Sequence, residues 1–182
     1  MHIMVGFTYY TPENTSGQTK ELLASIQKNY GFLPGLFAYM AESPVTVEAY
    51  LALNDLVAKT SLSPAQQQVA FLAVSVENGC SFCTVAHRAV GKMKKANAQT
   101  LAALSAHEKV NDPQDAALAA FAQSVTKNRG RSSEDETQAF LDAGFTKQQI
   151  FEIILIVAIK TISNYSNHFT KPEPNKELLG ML

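Results

Sequence analysis

The strongest constraint on the fold of this 182-residue chain is a helix-start signal that occurs three times. A capping residue stands directly before a proline in Ser43-Pro44, Ser63-Pro64 and Asp112-Pro113. A Ser or Asp side chain can accept from the free N–H groups of a helix start, and proline is favoured at the first helical position. Each pair precedes apolar residues at helical spacing, so the sequence predicts three helices that begin at these points.

The rest of the chain has the same helical periodicity, and no stretch shows sustained alternation bounded by hairpin turns. The sequence therefore predicts an all-α, single-domain helical bundle over residues 1–182, large enough to bury a core without disulfide bonds. Residues 1–15 are predicted to be an extended arm, lying on the domain or on a neighbouring subunit. Residues 171–182, with Pro172 and Pro174, are predicted to be a tail on the surface.

The composition excludes several classes of function. Hydrophobic residues make up 46% of the chain, charged residues 17%, and the net charge is -1, which argues against disorder and against a nucleic-acid partner. The chain start lacks the basic and then apolar order of a signal peptide, so we expect a cytoplasmic, reducing compartment. The most apolar run, residues 150–162, is shorter than the roughly 20 residues that span a bilayer. It predicts a buried helix that would also suit a subunit contact, and no membrane is expected.

Both cysteines and one of the four histidines lie between Glu77 and His87. Gly79 predicts the end of one helix, and a new helix is expected to begin at about Cys80. Residues three and four apart share a helix face, so Cys80, Cys83 and His87 should form one stripe on which the thiols can close a disulfide. Free N–H groups and the positive helix end favour a thiolate at both sulfurs. The imidazole could take or return a proton, or stabilise the thiolate if it is charged.

Other interpretations of these residues remain open at this stage. Cys80, Cys83 and His87 could supply three zinc ligands, but structural zinc normally has four protein ligands, so the sequence favours no metal and no cofactor. The two cysteines could also be inert core residues. Asn164 and His168 could form a hydrogen-bonded pair at a helix end or belong to the site.

Residues 68–87, QVAFLAVSVENGCSFCTVAH, resemble the alkylhydroperoxidase D and carboxymuconolactone decarboxylase superfamily. Its pattern is an acidic residue, an apolar helix and then Cys-x-x-Cys-x-x-x-His. Residues 32–37, the helix start at residues 63–64 and residues 164–168 resemble the peroxidase-related branch. The resemblance implies the helical fold of that superfamily, with the cysteine pair at a helix N-terminus.

The resemblance also implies a reaction. The pair would cycle between dithiol and disulfide as it reduces an organic hydroperoxide or a peroxiredoxin disulfide, with Cys83 attacking, Cys80 resolving and His87 shuttling protons. An external dithiol or a thioredoxin-like reductant would reopen the disulfide by exchange. A homo-oligomer, whether dimer, trimer or hexamer, is also expected.

The sequence departs from the family pattern twelve residues before the first cysteine. A glutamate is common there, but this chain has Gln68, whose amide can orient a histidine and cannot act as a carboxylate base. Glu77 and Glu152 are the candidates for the missing relay carboxylate. The sequence favours a thiol-dependent antioxidant oxidoreductase. The alternatives are a non-enzymatic redox sensor, which Gln68 favours, and a carboxymuconolactone decarboxylase-like enzyme, whose chemistry does not need two thiols.

Overall fold

A computed structural model gives the fold of residues 6–182. Over this part of the chain there are ten helices and no strand, which confirms the all-α prediction. The helices are α1 (Gly17–Tyr30), α2 (Gly35–Met40), α3 (Pro44–Val57), α4 (Pro64–Glu77), α5 (Ser81–Met93), α6 (Ala98–Ser105), α7 (Pro113–Lys127), α8 (Glu134–Asp142), α9 (Lys147–Thr170) and α10 (Lys176–Leu179). All three proline-marked starts are helix starts.

Helix α4 lies at the centre of the bundle. All its residues from Gln67 to Val76 are buried, and it packs against α5, α6, α7 and α9. Its start is fixed by a capping box: Ser63 Oγ accepts from Gln66 N at 3.2 Å, and Gln66 Oε1 accepts from Ser63 N at 2.9 Å. These two bonds satisfy two N–H groups of the helix start that have no partner within the helix.

A tight joint connects α4 to α5. Gly79 has φ +66°, a left-handed conformation that glycine adopts without a Cβ clash. Its N–H donates to Val76 O at 3.0 Å, and the N–H of Cys80 donates to Ser75 O at 2.9 Å. This pair of bonds is a Schellman motif, which ends α4 as predicted. Cys80 is therefore the N-cap of α5, held directly against the end of the central helix.

Helix α9 runs unbroken for 24 residues and extends beyond both ends of the apolar run 150–162 that predicted a buried helix. It packs against α2, α3, α4, α5 and α7. Among the residues that the structure describes, α9 is the one helix long and apolar enough to cross a membrane by length and composition. That indication is weak, because the core helix of a soluble domain meets the same criteria.

The first and last segments of the described part, residues 6–182, contact the helices. Residues 1–5 of the predicted arm are outside the described part, but Tyr10 N donates to Ala38 O at 3.0 Å, so the following residues contact α2 of the same chain. Near the C-terminus, the Asn175 side chain accepts from Gly35 N at 3.0 Å and donates to Leu33 O at 3.1 Å. The tail then forms α10, which packs on α5.

Candidate active site

The two cysteines lie side by side in the core as free thiols. Cys80 is 3% exposed and Cys83 is 2% exposed. Asn167 of α9 donates from Nδ2 to both sulfurs, at 3.3 Å to Cys83 Sγ and 3.7 Å to Cys80 Sγ. Because one amide nitrogen reaches both sulfurs, the thiols are close neighbours, as disulfide formation requires.

The pKa values of the two thiols shift in opposite directions. The hydrogen bond from Cys80 lowers the pKa of Cys83 to about 5, and the charge of Lys160 and the amides of Asn164 and Asn167 act in the same direction. That same hydrogen bond, together with burial, raises the pKa of Cys80 well above its usual range. These opposite shifts favour Cys83 as the thiolate of the pair, with the Cys80 thiol donating to it. The prediction of a favoured thiolate at both positions is therefore wrong for Cys80, because one sulfur must donate to the other.

The cysteines also open towards different spaces. Cys83 and His87 line one cavity, whereas Cys80 does not line it and instead lines a separate groove. As the N-cap of α5, Cys80 has φ -89° and ψ 96°, which is not a helical conformation. The prediction that all three residues share one stripe is thus wrong for Cys80. Phe82 lines both spaces.

His87 is held between two polar side chains. Its Nδ1 lies 3.0 Å from Gln68 Oε1, and its Nε2 lies 2.8 Å from Lys160 Nζ. A lysine ammonium only donates, so Nε2 accepts from Lys160 and the ring carries its proton on Nδ1, which donates to Gln68. The ring also stacks on Phe71, with centroids 4.7 Å apart and planes at 12°.

This environment keeps His87 neutral. Burial and the charge of Lys160 lower the pKa of His87 well below its usual value. A neutral imidazole cannot supply the positive charge that favours the Cys83 thiolate. Of the two roles predicted for His87, stabilising the thiolate as a charged imidazole is therefore excluded, and proton transfer stays a prediction. The buried cation beside Cys83 is Lys160.

Lys160 was not predicted as a site residue. It is 1% exposed, its Nζ lies 5.7 Å from the centre of the Phe71 ring, and it lines the cavity with Cys83 and His87. Burying an ammonium is costly unless it has strong local partners, so its place beside a thiolate and an imidazole is informative. The pattern that could have identified Lys160 from the sequence is its position as the single lysine in the apolar run of residues 150–162.

Asn164 and Asn167 complete the α9 side of the site. They follow Lys160 by four and seven residues, so the three residues share one helix face. Asn164 is fully buried, and its Oδ1 accepts from Asn78 Nδ2 at 2.9 Å. Asn167 was missed in the sequence, although its spacing from Asn164 equals the spacing of the two cysteines. His168 is exposed and stacks on Tyr165 with ring centroids 6.0 Å apart, so it does not pair with Asn164, although it lines a groove together with Cys80.

Of the three predicted relay residues, only Gln68 contacts His87. The Glu152 carboxylate accepts from Ser61 N at 2.9 Å and from Ser61 Oγ at 2.8 Å. Glu77 is the exposed last residue of α4. The structure therefore brings neither carboxylate to His87, and both of these relay assignments are corrected: the two ring nitrogens are already bonded to an amide and an ammonium.

The donors considered for zinc do not converge on one point. Over residues 6–182, no group of three or more His, Cys, Asp or Glu side chains is arranged to hold a metal ion. Both nitrogens of His87 are occupied, and Cys80 opens away from the cavity that His87 lines. The residues present do not form a zinc site of the kind weighed from the sequence.

The cavity beside Cys83 has a volume of about 360 Å³. Its polar groups are Cys83, His87, the buried Lys160, the exposed Lys94 and a few neutral amides and hydroxyls. Most of its wall is apolar, and aromatic and aliphatic side chains line it: Phe32, Leu36, Phe37, Val57, Phe71, Phe82, Val90 and Leu178. Such a cavity suits a small apolar molecule that meets a thiolate and a proton donor.

One family model matches the central part of the chain. Residues 44–125 match the model of the Carboxymuconolactone decarboxylase family, a stretch that includes both cysteines and His87. A search of curated protein sequences found no match.

Solved structures share the fold over nearly the whole chain. The alkylhydroperoxidase AhpD core of an uncharacterized peroxidase-related protein from Ralstonia eutropha JMP134 is 22% identical, with a TM-score of 0.83 over 98% of this chain and 96% of that chain. An uncharacterized peroxidase-related protein from Silicibacter sp. TM1040 is also 22% identical, with a TM-score of 0.74 over 90% of this chain and 87% of that chain.

A third similar structure is the debrominase Bmp8 in complex with 2,3,4-tribromopyrrole. It is 16% identical, with a TM-score of 0.74 over 90% of this chain and 89% of that chain. At these identities the structural matches show the fold. This chain thus has the alkylhydroperoxidase D-like fold, and its stretch around the cysteine pair is similar to the Carboxymuconolactone decarboxylase family.

Proposed function

We propose that the protein is a thiol-dependent oxidoreductase that reduces an apolar organic hydroperoxide with the Cys80 and Cys83 thiols. The observation that carries this proposal is the position of Cys83: it lines an apolar cavity together with Lys160 and His87, and the Cys80 thiol is its neighbour. The superfamily and its peroxidase-related structural neighbours support the same redox role.

In the first step, the Cys83 thiolate attacks the terminal oxygen of the hydroperoxide. An S–O bond forms, the O–O bond breaks, and Cys83 becomes a sulfenic acid. The departing alkoxide takes a proton from the Lys160 ammonium and leaves as an alcohol. Lys160 then takes up a proton from a water molecule in the cavity, and His87 Nε2, 2.8 Å from Lys160 Nζ, accepts from the restored ammonium. A lysine bonded to Nε2 of the imidazole thus supplies the proton, in place of a carboxylate beside Nδ1.

In the second step, Cys80 attacks the sulfur of the Cys83 sulfenic acid. The S–S bond forms, and the hydroxyl group leaves as water with the Cys80 proton. The Asn167 amide, which donates to both sulfurs, keeps them together for this step. An external dithiol or a thioredoxin-like reductant then reopens the disulfide by exchange. We expect a cytoplasmic, reducing compartment, in which such a reductant is available.

Turnover of cumene hydroperoxide with dithiothreitol tests the proposal. We expect Cys83→Ser to abolish turnover. In a reaction run without dithiothreitol, Cys80→Ser should release one equivalent of alcohol and keep Cys83 as a sulfenic acid, which has no internal partner. Tyr165→Phe, an exposed change on α9 outside the cavity, is the matched control.

Other outcomes separate the alternatives. A reversible Cys80–Cys83 disulfide without turnover would favour a redox sensor, unless a peroxiredoxin disulfide is reduced in place of the hydroperoxide. Full activity of Cys83→Ser on a lactone acid would favour a carboxymuconolactone decarboxylase-like enzyme. Failure to form any disulfide under mild oxidation would contradict every redox function considered.

Reductive dehalogenation is a second candidate function. The cavity has aromatic walls that include Phe32, Phe37, Phe71 and Phe82, and a debrominase with the same fold has been solved with a brominated pyrrole. The two thiols would supply two electrons, so that a carbon–bromine bond is replaced by carbon–hydrogen, bromide and a proton are released, and the disulfide forms. Bromide release from a bromopyrrole that depends on Cys83 would support this candidate, and a hydroperoxide preference would exclude it as the main activity.

A further inference from the structure

The groove lined by Cys80 lies apart from the cavity lined by Cys83. It has a volume of about 380 Å³, and its walls are the α4–α5 joint, the end of α9 and the segment after α9. The residues that line it are Gly79, Cys80, Ser81, Phe82, Asn167, His168, Lys171, Pro172, Glu173 and Pro174. Neither Lys160 nor His87 lines this groove, so the proposed peroxide chemistry does not use it.

We propose that this groove is the site where a small dithiol attacks the Cys80 sulfur of the Cys80–Cys83 disulfide, while the hydroperoxide uses the separate apolar cavity. The proposal rests on the proposed function, because it requires a disulfide that must be reopened. It adds a second binding site, for the reducing dithiol. Phe82 lines both this groove and the hydroperoxide cavity.

In thiol–disulfide exchange, the reducing thiolate is expected to attack the sulfur of Cys80. Attack by a thiolate on one sulfur expels the other, and the thiol with the lower pKa leaves faster. Cys83 is the better leaving group, because Asn167 donates to its sulfur at 3.3 Å and Lys160 supplies a nearby positive charge. Attack on Cys80 therefore releases Cys83 directly as the thiolate that the next hydroperoxide requires.

Because Cys80 is buried, a dithiol is a better reductant for this disulfide than two monothiol molecules. The Cys80 side chain is only 3% exposed, so a reductant joined to it fills the narrow approach to that sulfur. A second molecule would then have no path to the mixed disulfide. A second thiol on the same molecule can attack its own sulfur, close a cyclic disulfide and release Cys80, which takes up a proton.

The charges at the groove favour a small, uncharged dithiol. Lys171 and Glu173 on the segment after α9 are both exposed and opposite in sign, and His168 is the third titratable side chain beside Cys80. The groove therefore has no strong net charge for a polyanionic reductant. The segment is held in place because Asn175 is bonded to Leu33 and Gly35.

The test uses full-length protein in which the disulfide has been formed with diamide, so that no hydroperoxide is needed. The measurement is the rate at which dithiothreitol restores the Cys83 thiolate. We expect His168→Trp and Glu173→Trp, on different walls of the groove, to slow this reduction by about tenfold because they narrow access to the attacked sulfur. Glu177→Trp, the same exchange at an exposed position that lines neither the groove nor the cavity, should leave it unchanged.

Ala86→Phe provides the opposite comparison, because Ala86 lines the cavity and not the groove. It should slow the single-turnover reaction of reduced protein with cumene hydroperoxide and leave disulfide reduction at the parent rate. The proposal is overturned if both groove variants are reduced at the parent rate, or if Ala86→Phe slows reduction as much as they do. If reduced protein does not react with hydroperoxide at all, the proposed function fails, and the diamide experiment still decides whether dithiols use the groove.

Discussion

Gln68 stands where a glutamate was expected beside His87, so the site has no carboxylate for proton transfer. In the proposed mechanism Lys160 is the proton donor in its place. A glutamate at position 68 would accept from His87 and favour the imidazolium, whereas here Gln68 accepts from Nδ1 and a lysine donates to Nε2. The positive charge of the site therefore lies on Lys160 and not on His87. The imidazole remains neutral and holds the ammonium by accepting its hydrogen bond.

The first prediction concerns Lys160→Met, which keeps the length of the side chain and removes its charge. Because the ammonium favours the thiolate, the pKa of Cys83 should rise from about 5 by roughly one unit or more. The rate of Cys83 alkylation by iodoacetamide, followed by peptide mass spectrometry across pH, measures this shift. The parent protein should gain reactivity as the pH rises through its Cys83 pKa, and the variant should do so at higher pH.

Lys160→Arg is the matched control for that experiment. It keeps the charge, so the alkylation midpoint should stay closer to the parent value than the midpoint of Lys160→Met. Equal midpoints for the parent and Lys160→Met would show that the lysine charge does not act on Cys83.

The second prediction concerns Gln68→Glu. A carboxylate beside Nδ1 favours the charged imidazole, so the pKa of His87 should rise relative to the parent protein. Titration of the histidine ring signals by NMR measures it. Glu152→Gln is the control and should leave the His87 pKa unchanged, since Glu152 is bonded to Ser61. An unchanged His87 pKa in Gln68→Glu would contradict the hydrogen bond from Nδ1.

At the scale of helices, the joint between α4 and α5 positions the thiols. The third prediction is that Gly79→Ala lowers the free energy of unfolding by roughly 1–2 kcal/mol, because φ is +66° and a Cβ is strained there. Thermal unfolding followed by circular dichroism measures the loss. Gly6→Ala is the matched control: its added Cβ meets nothing within 4 Å, and stability should not change. A stable Gly79→Ala would argue that the joint tolerates another geometry.

Helix α9 exposes a stripe of large apolar side chains on the face opposite the core. Phe151, Ile154, Tyr165 and Phe169 are 72%, 44%, 53% and 74% exposed. Exposed apolar patches often mark contacts with other chains, and the homo-oligomer inferred from the sequence stays a prediction. As the fourth prediction, sedimentation velocity should show an oligomer that Phe151→Glu weakens. A monomeric parent protein would contradict the expectation.

The helix boundaries were more predictable than the site. Ser63, Gln66 and Gly79 act through bonds to residues a few positions away, so their roles follow from local sequence. The contact between Lys160 and His87 joins residues 73 positions apart and depends on how α9 packs against α4 and α5. Cys80 was placed on the wrong face because the helical rule was applied to a residue whose backbone is not helical.

At the scale of the whole molecule, the C-terminal segment closes one side of the cavity. Leu178 of α10 lines the cavity, and Asn175 ties the same segment to Leu33 and Gly35, about 140 positions earlier in the chain. Binding of a hydrophobic substrate therefore depends on a contact between distant parts of the sequence.

The fifth prediction is that Asn175→Ala raises KM for cumene hydroperoxide several-fold and affects kcat less. Each lost hydrogen bond costs about 1 kcal/mol, which loosens the segment that holds Leu178 in the wall. Steady-state kinetics measure the two constants separately. Lys176→Ala, an exposed neighbour, is the control. A fall in kcat with KM unchanged would mean that the segment acts on the chemistry and not on binding.

The unbroken course of α9 also limits how the gene can change. Lys160, Asn164 and Asn167 reach the site from one helix whose other buried residues fill the core. One codon inserted upstream within α9 would turn everything after it by about 100°, removing all three polar groups from the thiols in a single event. We therefore expect insertions and deletions among functional descendants of this sequence to fall in the loops, whereas α9 should vary by substitution at constant length.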